Sequence, residues 1–426
     1  MSRIVKLNSL SDDELKKISK DLQVAQEVSK YAFNAEPKYV CLYEAEKNNL
    51  YVPFAYNPSY PRPDRNNFSV KNVEFAGSLR APQKEVKSEA IDILNKTGSV
   101  MISCYCGFGK TFMALNIVCK IKMKVLILCH RVVLIKQWKE EIKQFCPNAT
   151  CQILTPTSEM KDADFYIINS INVPKKPREY YKDIGILIVD EAHLVMAEKL
   201  SNCMKYVLPR YIIGLTATPY RTDGLDVLLD LYFGKHKIIR KLWRKHTVYR
   251  VDTGFKPDVQ LNKMGKVDWS SVIDSTCNDE NRNEMILKII RKFKDRVFLV
   301  LCKRVSQANY LVSRLTEEKE DVTSLIGKNQ EYEKKSRILV GTCQKAGVGF
   351  NNSRLDSLLL ASDVEQYFVQ YLGRVFRRED SEPVIFDLVD DYILLQRHYK
   401  TRSLVYLEHG GIIKDFNREF PKLKMN

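Results

Sequence analysis

Long hydrophobic runs are missing from this 426-residue sequence. The longest apolar stretches, such as Ile186 to Val189 and Val125 to Cys129, fall far short of the roughly 20 residues that a bilayer-spanning helix needs. The opening MSRIVKLNSLSDDELKK turns acidic before a signal-like core can form, so a soluble, unsecreted protein without a membrane partner is expected. Cysteine pairs of CxxC spacing are also absent. The 11 cysteines are odd in number and scattered, which excludes a disulfide scaffold and points to reduced thiols in an intracellular, cytosolic or nuclear compartment. No repeat or low-complexity tract stands out, and 17 glycines with 15 prolines are too few for a collagen-like chain. Acidic residues are scarce relative to basic ones, 52 against 68, which leaves a net charge of +16. A field of that sign speeds encounter with nucleic acid, although a solubility excess spread over a large surface would give the same number. The 45% hydrophobic and 28% charged content is that of a globular chain. Its length suits two or three domains of about 100–200 residues each.

Residues 1–78 read as a small α+β accessory domain and linker. Ser11 to Glu14 form a capping-box pattern, followed by Leu15, Ile18 and Leu22 at near-helical spacing. Tyr39–Tyr43 and Leu50–Phe54 flank a polar stretch with Asn48 and Asn49, which predicts a hairpin. Residues 56–67, with Pro58, Pro61 and Pro63, read as a connection. Residues 79–235 alternate short apolar runs with amphipathic segments. Val100–Ser103, Val125–Cys129, Phe165–Ile168, Ile186–Val189 and Ile212–Leu215 have the length and β-branched content of strands buried on both faces of a parallel sheet. A second set runs through Val297–Leu301, Ile338–Val340, Ser357–Leu360 and Val384–Phe386, so residues 281–426 read as a second α/β unit, with 236–280 as a basic hairpin and linker. Functional loops belong at the carboxyl ends of such strands.

The run Val100–Ser103 leads into Cys104-Tyr105-Cys106-Gly107-Phe108-Gly109-Lys110-Thr111 and then a helix-like segment. Glycines there let backbone N–H groups close around phosphate oxygens at a helix N-terminus. Lys110 would reach the β- and γ-phosphates of ATP, and the Thr111 hydroxyl would hold Mg²⁺. The full GxxxxGK[ST] pattern fails at Cys104, and a chance glycine-rich turn is the plain alternative. The Cys104 and Cys106 pair alone does not make a closed metal site. A second buried run ends in Asp190-Glu191-Ala192-His193. There Asp190 would hold Mg²⁺ through its water shell and Glu191 would polarise the attacking water.

GFGKT followed by DEAH resembles the superfamily 2 helicases and translocases. Further motifs match in order: Leu215-Thr216-Ala217-Thr218-Pro219, Cys129-His130-Arg131 with Gln137-Trp138, and Asn169-Ser170-Ile171. The second unit adds Gly341-Thr342-Cys343, the stretch Ala346 to Phe350, and Gln370 to Arg377 as QxxGRxxR. The resemblance covers about residues 79–390 and implies two tandem RecA-like parallel-sheet domains. It implies that Arg80 and Gln83 contact adenine and that His130, Arg131, Asn169, Ser170, His193, Thr216, Thr218, Thr342 and Gln370 couple the ATP site to nucleic acid. Arg374 and Arg377, three apart, would share a helix face and neutralise charge on the γ-phosphoryl group from the second domain. An exposed basic helix face is the alternative, and it is the preferred reading for Arg378. The combination LRxxQ, GLTATPYRTDG and QYLGRVFRR is more similar to the DNA-translocating helicases related to XPB than to the DEAH RNA helicases. Within that group it resembles the helicases of large cytoplasmic DNA viruses, including the poxvirus helicase that releases transcripts. DNA is the implied partner, with RNA, or an ATP-gated clamp in a transcription or replication complex, as rivals.

Residues 235–250, KHKIIRKLWRKHTVYR, hold seven Lys or Arg and no acid, with Trp243 and Tyr249 interleaved. They could screen phosphates and stack on bases, or form a hairpin that packs on the first domain. The carboxylates Asp387, Asp390 and Asp391 read as a cap for the next helix rather than a metal site.

Overall fold

The computed structural model describes residues 2–25, 39–105, 107–197, 200–217, 225–327, 331–346, 352–364, 368–378 and 380–423. The chain divides into two compact units, Met1–Arg240 and Lys241–Asn426.

The first unit opens with β1 (Ser2–Lys6), α1 (Asp12–Asp21), β2 (Gln23–Ala25), β3 (Tyr39–Cys41), β4 (Glu44–Glu46) and β5 (Asn49–Pro53). The α1 capping box forms: Ser11 Oγ accepts from the Glu14 N–H, and the Glu14 carboxylate accepts from the Ser11 N–H. The hairpin also forms, but between β4 and β5, with Lys47 in the turn at φ +54°. Tyr39–Cys41 pairs instead with β2, and β5 pairs on its other side with β1. Ile18, Leu22, Val52 and Phe54 join one continuous core with Leu187, Val189, Leu228 and Phe233, so this segment packs onto the α/β part of its unit.

That part runs α2 (Ala81–Thr97), β6 (Ser99–Cys104), α3 (Lys110–Ile121), β7 (Val125–Cys129), α4 (Val132–Phe145), β8 (Cys151–Leu154), β9 (Phe165–Asn169), β10 (Ile186–Val189), α5 (Ala192–Val195), β11 (Tyr211–Thr216), α6 (Val227–Phe233) and β12 (Lys237–Arg240). The sheet order is β12-β6-β11-β10-β7-β9-β8, and its pairings are parallel. Strands β6, β7, β10 and β11 are buried along their whole length, because helices cover both faces.

The second unit runs β13 (His246–Asp252), α7 (Trp269–Asn278), α8 (Glu280–Lys292), β14 (Phe298–Cys302), α9 (Val305–Glu317), β15 (Val322–Leu325), β16 (Ile338–Thr342), α10 (Cys343–Ala346), β17 (Ser357–Leu360), α11 (Phe368–Val375), β18 (Val384–Val389), α12 (Ile393–Glu408), β19 (Gly411–Asp415) and α13 (Phe416–Glu419). Its order is β15-β16-β14-β17-β18-β13-β19, again parallel.

Two expectations are corrected here. The basic stretch 235–250 is not a hairpin: β12 pairs with β6 in one sheet, and β13 pairs with β18 and β19 in the other. Each strand finds a parallel edge in a different sheet, which an antiparallel turn between them would forbid. Tyr249 is therefore unavailable for base stacking, since its ring is buried against Phe386, Phe416 and Phe420. Trp243 is the exposed aromatic of this stretch. The carboxylates at the end of β18 do not cap α12 either, whose N-cap Tyr392 makes no side-chain cap. Asp387 accepts from Arg402 and Tyr406, and Asp390 from Arg282 and Thr253. Among the described residues, no three His, Cys, Asp or Glu side chains converge in a way that could hold a metal ion.

Candidate active site

Strand register brings the predicted residues of the first unit to one edge. Ser103 pairs with Thr216, Val189 with Gly214 and Leu128, and Cys129 with Asn169. The loops that follow β6, β7, β9, β10 and β11 therefore all leave the carboxyl end of the same sheet.

The loop after β6 turns on Gly107 at φ +91° and Gly109 at φ +89°, left-handed values that a side chain would strain. A Cβ at Gly109 would also come within 2.6 Å of Gln83 Nε2. Gly109 caps α3 and brings no side-chain cap, so the first-turn N–H groups and the helix dipole suit an anion such as a phosphate. Lys110 Nζ donates to the Cys104 carbonyl at 2.9 Å, which holds it over the loop. Thr111 follows in the first turn. The Phe108 side chain is buried, and its carbonyl accepts from Gln83 Nε2 at 2.7 Å and from Arg80 at 3.1 Å. Gln83 Oε1 in turn accepts from the Arg80 N–H. Gln83 is buried and thus braces the phosphate loop.

Asp190 follows β10 with both carboxylate oxygens engaged. Oδ2 accepts from the Trp138 indole at 2.8 Å, and Oδ1 from the Glu191 N–H at 2.9 Å. Burial, then the Glu191 charge, pushes the Asp190 carboxyl up to about 6, against the Trp138 hydrogen bond and Lys110. Glu191 sits at φ +47°, ψ +52°, a left-handed conformation that costs a side-chain-bearing residue roughly 1–2 kcal/mol. Its Oε2 is buried, accepts no hydrogen bond and lies 3.5 Å from His193 Nδ1. That nitrogen also meets Thr216 Oγ1 at 2.8 Å, which ties the acidic loop to the end of β11. The donor set fits a hydrated divalent cation: a hard carboxylate and a hydroxyl, with a glycine loop at a helix N-terminus in the same unit.

His130 lies after β7 with both ring nitrogens buried and unpartnered. Burial, then Arg131 and His193, lowers its pKa to about 4, so it is neutral at pH 7. Arg131 is the exposed N-cap of α4. Asn169 Oδ1 accepts from the Ile171 N–H, and the Ser170 hydroxyl is buried without a partner. Thr218 lies outside the described residues, as do Cys106, Pro219 and the stretch 347–350.

In the second unit Thr342 ends β16 and is buried. Gln370 and Arg374 lie buried on α11, whose Tyr371 hydroxyl donates to the Cys343 carbonyl at 2.7 Å. The helix ends at Val375, so Arg377 follows it rather than sharing its face with Arg374. Burial raises the pKa of the Tyr332 phenol, against the charges of both guanidinium groups, and sequence reasoning missed this tyrosine. Arg378, expected on an exposed basic helix face, instead follows the helix and pairs with Asp356 and Asp380. Trp138 stands in the Gln137-Trp138 motif, which by itself assigns it no task. A fully buried indole needs an N–H acceptor, but the partner was legible only in three dimensions.

The profile of the family described as "Type III restriction enzyme, res subunit" matches residues 76–221. The chain is 42% identical over 445 residues to "Putative helicase 161L" of Invertebrate iridescent virus 6, covering 98% of this chain and 100% of that one. It is 32% identical over 382 residues to "Putative helicase 055L" of Frog virus 3, covering 87% of each. A "Putative ATP-dependent RNA helicase" of Acanthamoeba polyphaga mimivirus is 25% identical over 434 residues, 94% of this chain and 83% of that one. Among solved structures, S. cerevisiae Dbp5 bound to RNA and ADP BeF3 shares the fold, with a TM-score of 0.54 at 14% identity over 80% of this chain and 92% of that one. Full-length similarity of this order, on tandem parallel sheets with a phosphate loop and an acidic box, places the chain in the superfamily 2 helicase family of large DNA viruses.

Proposed function

We propose that the chain is an ATP- and Mg²⁺-dependent motor that moves on DNA. The observation that carries this reading is the convergence of the phosphate loop, Asp190, Glu191, His193 and Thr216 at one sheet edge of a helicase-family chain. Lys110 and the first-turn N–H groups of α3 take the phosphates, and Glu191 takes a proton from the attacking water. Thr111 and Asp190 would hold Mg²⁺, which would supply charge neutralisation at the bound phosphates. Gln83 and Arg80 set the loop from the adenine side. Arg374 and Arg377 offset the charge that grows as the γ-phosphoryl group leaves. The His193–Thr216 hydrogen bond relays the state of the acidic loop to β11 and the nucleic-acid side. With a +16 chain, binding rests on phosphate contacts, weakens steeply with salt and shows little sequence preference.

RNA is the second reading, favoured by the RNA-helicase name of the mimivirus relative. Strand displacement from matched DNA and RNA duplexes with single-stranded tails separates the two. The proposal expects ATP-dependent release on DNA; release on RNA alone supports the second reading. ATP turnover with both duplexes left intact points to a translocase or clamp that does not unwind.

A further inference from the structure

Trp138 does more than fill the core. It projects from α4, is 1% exposed, and places its single N–H 2.8 Å from Asp190 Oδ2. The other carboxylate oxygen is held by the Glu191 backbone N–H, which fixes only one side of the group. A carboxylate held at one oxygen can still swing its second oxygen; held at both, it has one plane. The indole is a fixed donor because its ring cannot rotate without displacing the packed interior around it. A neutral backbone carbonyl would satisfy a buried tryptophan equally well. Here the acceptor is instead a carboxylate at the catalytic edge, a charge-assisted bond of the stronger kind.

We propose that Trp138 is a positioning residue whose indole N–H fixes the Asp190 carboxylate in the orientation that receives nucleotide-bound Mg²⁺. The inference rests on the reading of Asp190 as the Mg²⁺ carboxylate. The bond acts on one oxygen of the carboxylate, as hydrogen-bond donors to metal-binding carboxylates do, and loss of such a partner costs about 10-fold or more in metal affinity. Because Trp138 is neither a phosphate nor a base contact, its loss should weaken the Mg²⁺-dependent part of nucleotide binding and leave the rest.

The test is the affinity of the full chain for a fluorescent ADP analogue, measured with Mg²⁺ and again in EDTA. The parent protein should bind more tightly with Mg²⁺, and Asp190→Asn should lose that gain. Trp138→Phe should cut the gain by about 10-fold at unchanged affinity in EDTA, and adding it to Asp190→Asn should cost little more. A full Mg²⁺ gain in Trp138→Phe overturns the inference, while the parent and Asp190→Asn results keep the reading of Asp190 intact. A full gain in Asp190→Asn removes that reading, and the inference with it. Should Trp138→Phe also weaken binding in EDTA through damaged packing, 3-benzothienylalanine at position 138 decides. It keeps the ring shape and replaces N–H by sulfur: a 10-fold cut supports the role, and a full gain overturns it.

Discussion

Two clusters of buried charge, one at the carboxyl edge of the first sheet and one beside β18 of the second, are treated in opposite ways. At the carboxyl edge of the first, Asp190 is pushed up to about 6 and His130 down to about 4, by burial first in both cases, so each is drawn toward its neutral form. The Glu191 Oε2, the Ser170 hydroxyl and both nitrogens of His130 are buried without hydrogen bonds. In the second unit, burial also opposes the charges of Asp363 and Arg402, yet partners win. His398 and Arg402 hold Asp363 below its usual range, and Asp387 with Asp363 keeps Arg402 above its own. Arg402 reaches Asp387 and Asp363, and Tyr406 completes the set. Groups left short of partners at a sheet edge mark a place built for something else to complete. Groups paired with one another mark scaffold. The aspartates in and after β18 read in the sequence as a helix cap, and their arginine partners show them to be scaffold.

Four changes would break or sharpen that contrast. The largest effect belongs to Lys110→Ala, which should cut ATP turnover about 100-fold or more by removing a preorganised cation at the phosphates. Thermal unfolding should move little by comparison, because among the described residues Nζ makes a single hydrogen bond, to the Cys104 carbonyl, beside its charge interaction with Asp190. Arg402→Met should do the reverse. It removes the cation that Asp387 and Asp363 share in the interior and should destabilise the second unit by about 3–5 kcal/mol, read as a fall in its unfolding midpoint.

Glu191→Gly is smaller and cuts both ways. It relieves the left-handed backbone, for a gain of roughly 1 kcal/mol at most, while abolishing turnover; a loss of stability instead would mean that the conformation is not strained. The smallest effect is in pH. The folded pKa of His130 lies below its unfolded value, so its contribution is fully present above about pH 6.5 and is lost as pH falls toward 4. His246, lowered by burial, works in the same direction. Denaturation at a series of pH values should therefore show His130→Gln losing less stability on acidification than its parent, and parallel curves would contradict this.

The interior of each sheet was legible because strands covered on both faces read as unbroken β-branched runs, and all nine such runs are strands. Strands such as β8, β12, β15 and β19 were not, since edge positions mix exposed and buried residues. Strand β13 hides its apolar positions between His246, Arg250 and Asp252. The phosphate loop and acidic box were legible because glycine, lysine and paired carboxylates have few other reasons to follow buried strands. What holds them was not: the Trp138 bond to Asp190 joins residues far apart in sequence. The burial of Arg282 and Arg402 runs against the rule that arginine stays in water.

The most direct measurement is ATP hydrolysis by the full chain with no nucleic acid, single-stranded DNA, duplex DNA and RNA, beside Glu191→Gln. The account predicts turnover stimulated by DNA and reduced about 100-fold or more in the variant, the loss expected when a catalytic base is removed. Turnover unchanged in Glu191→Gln, or none under any condition, would contradict it.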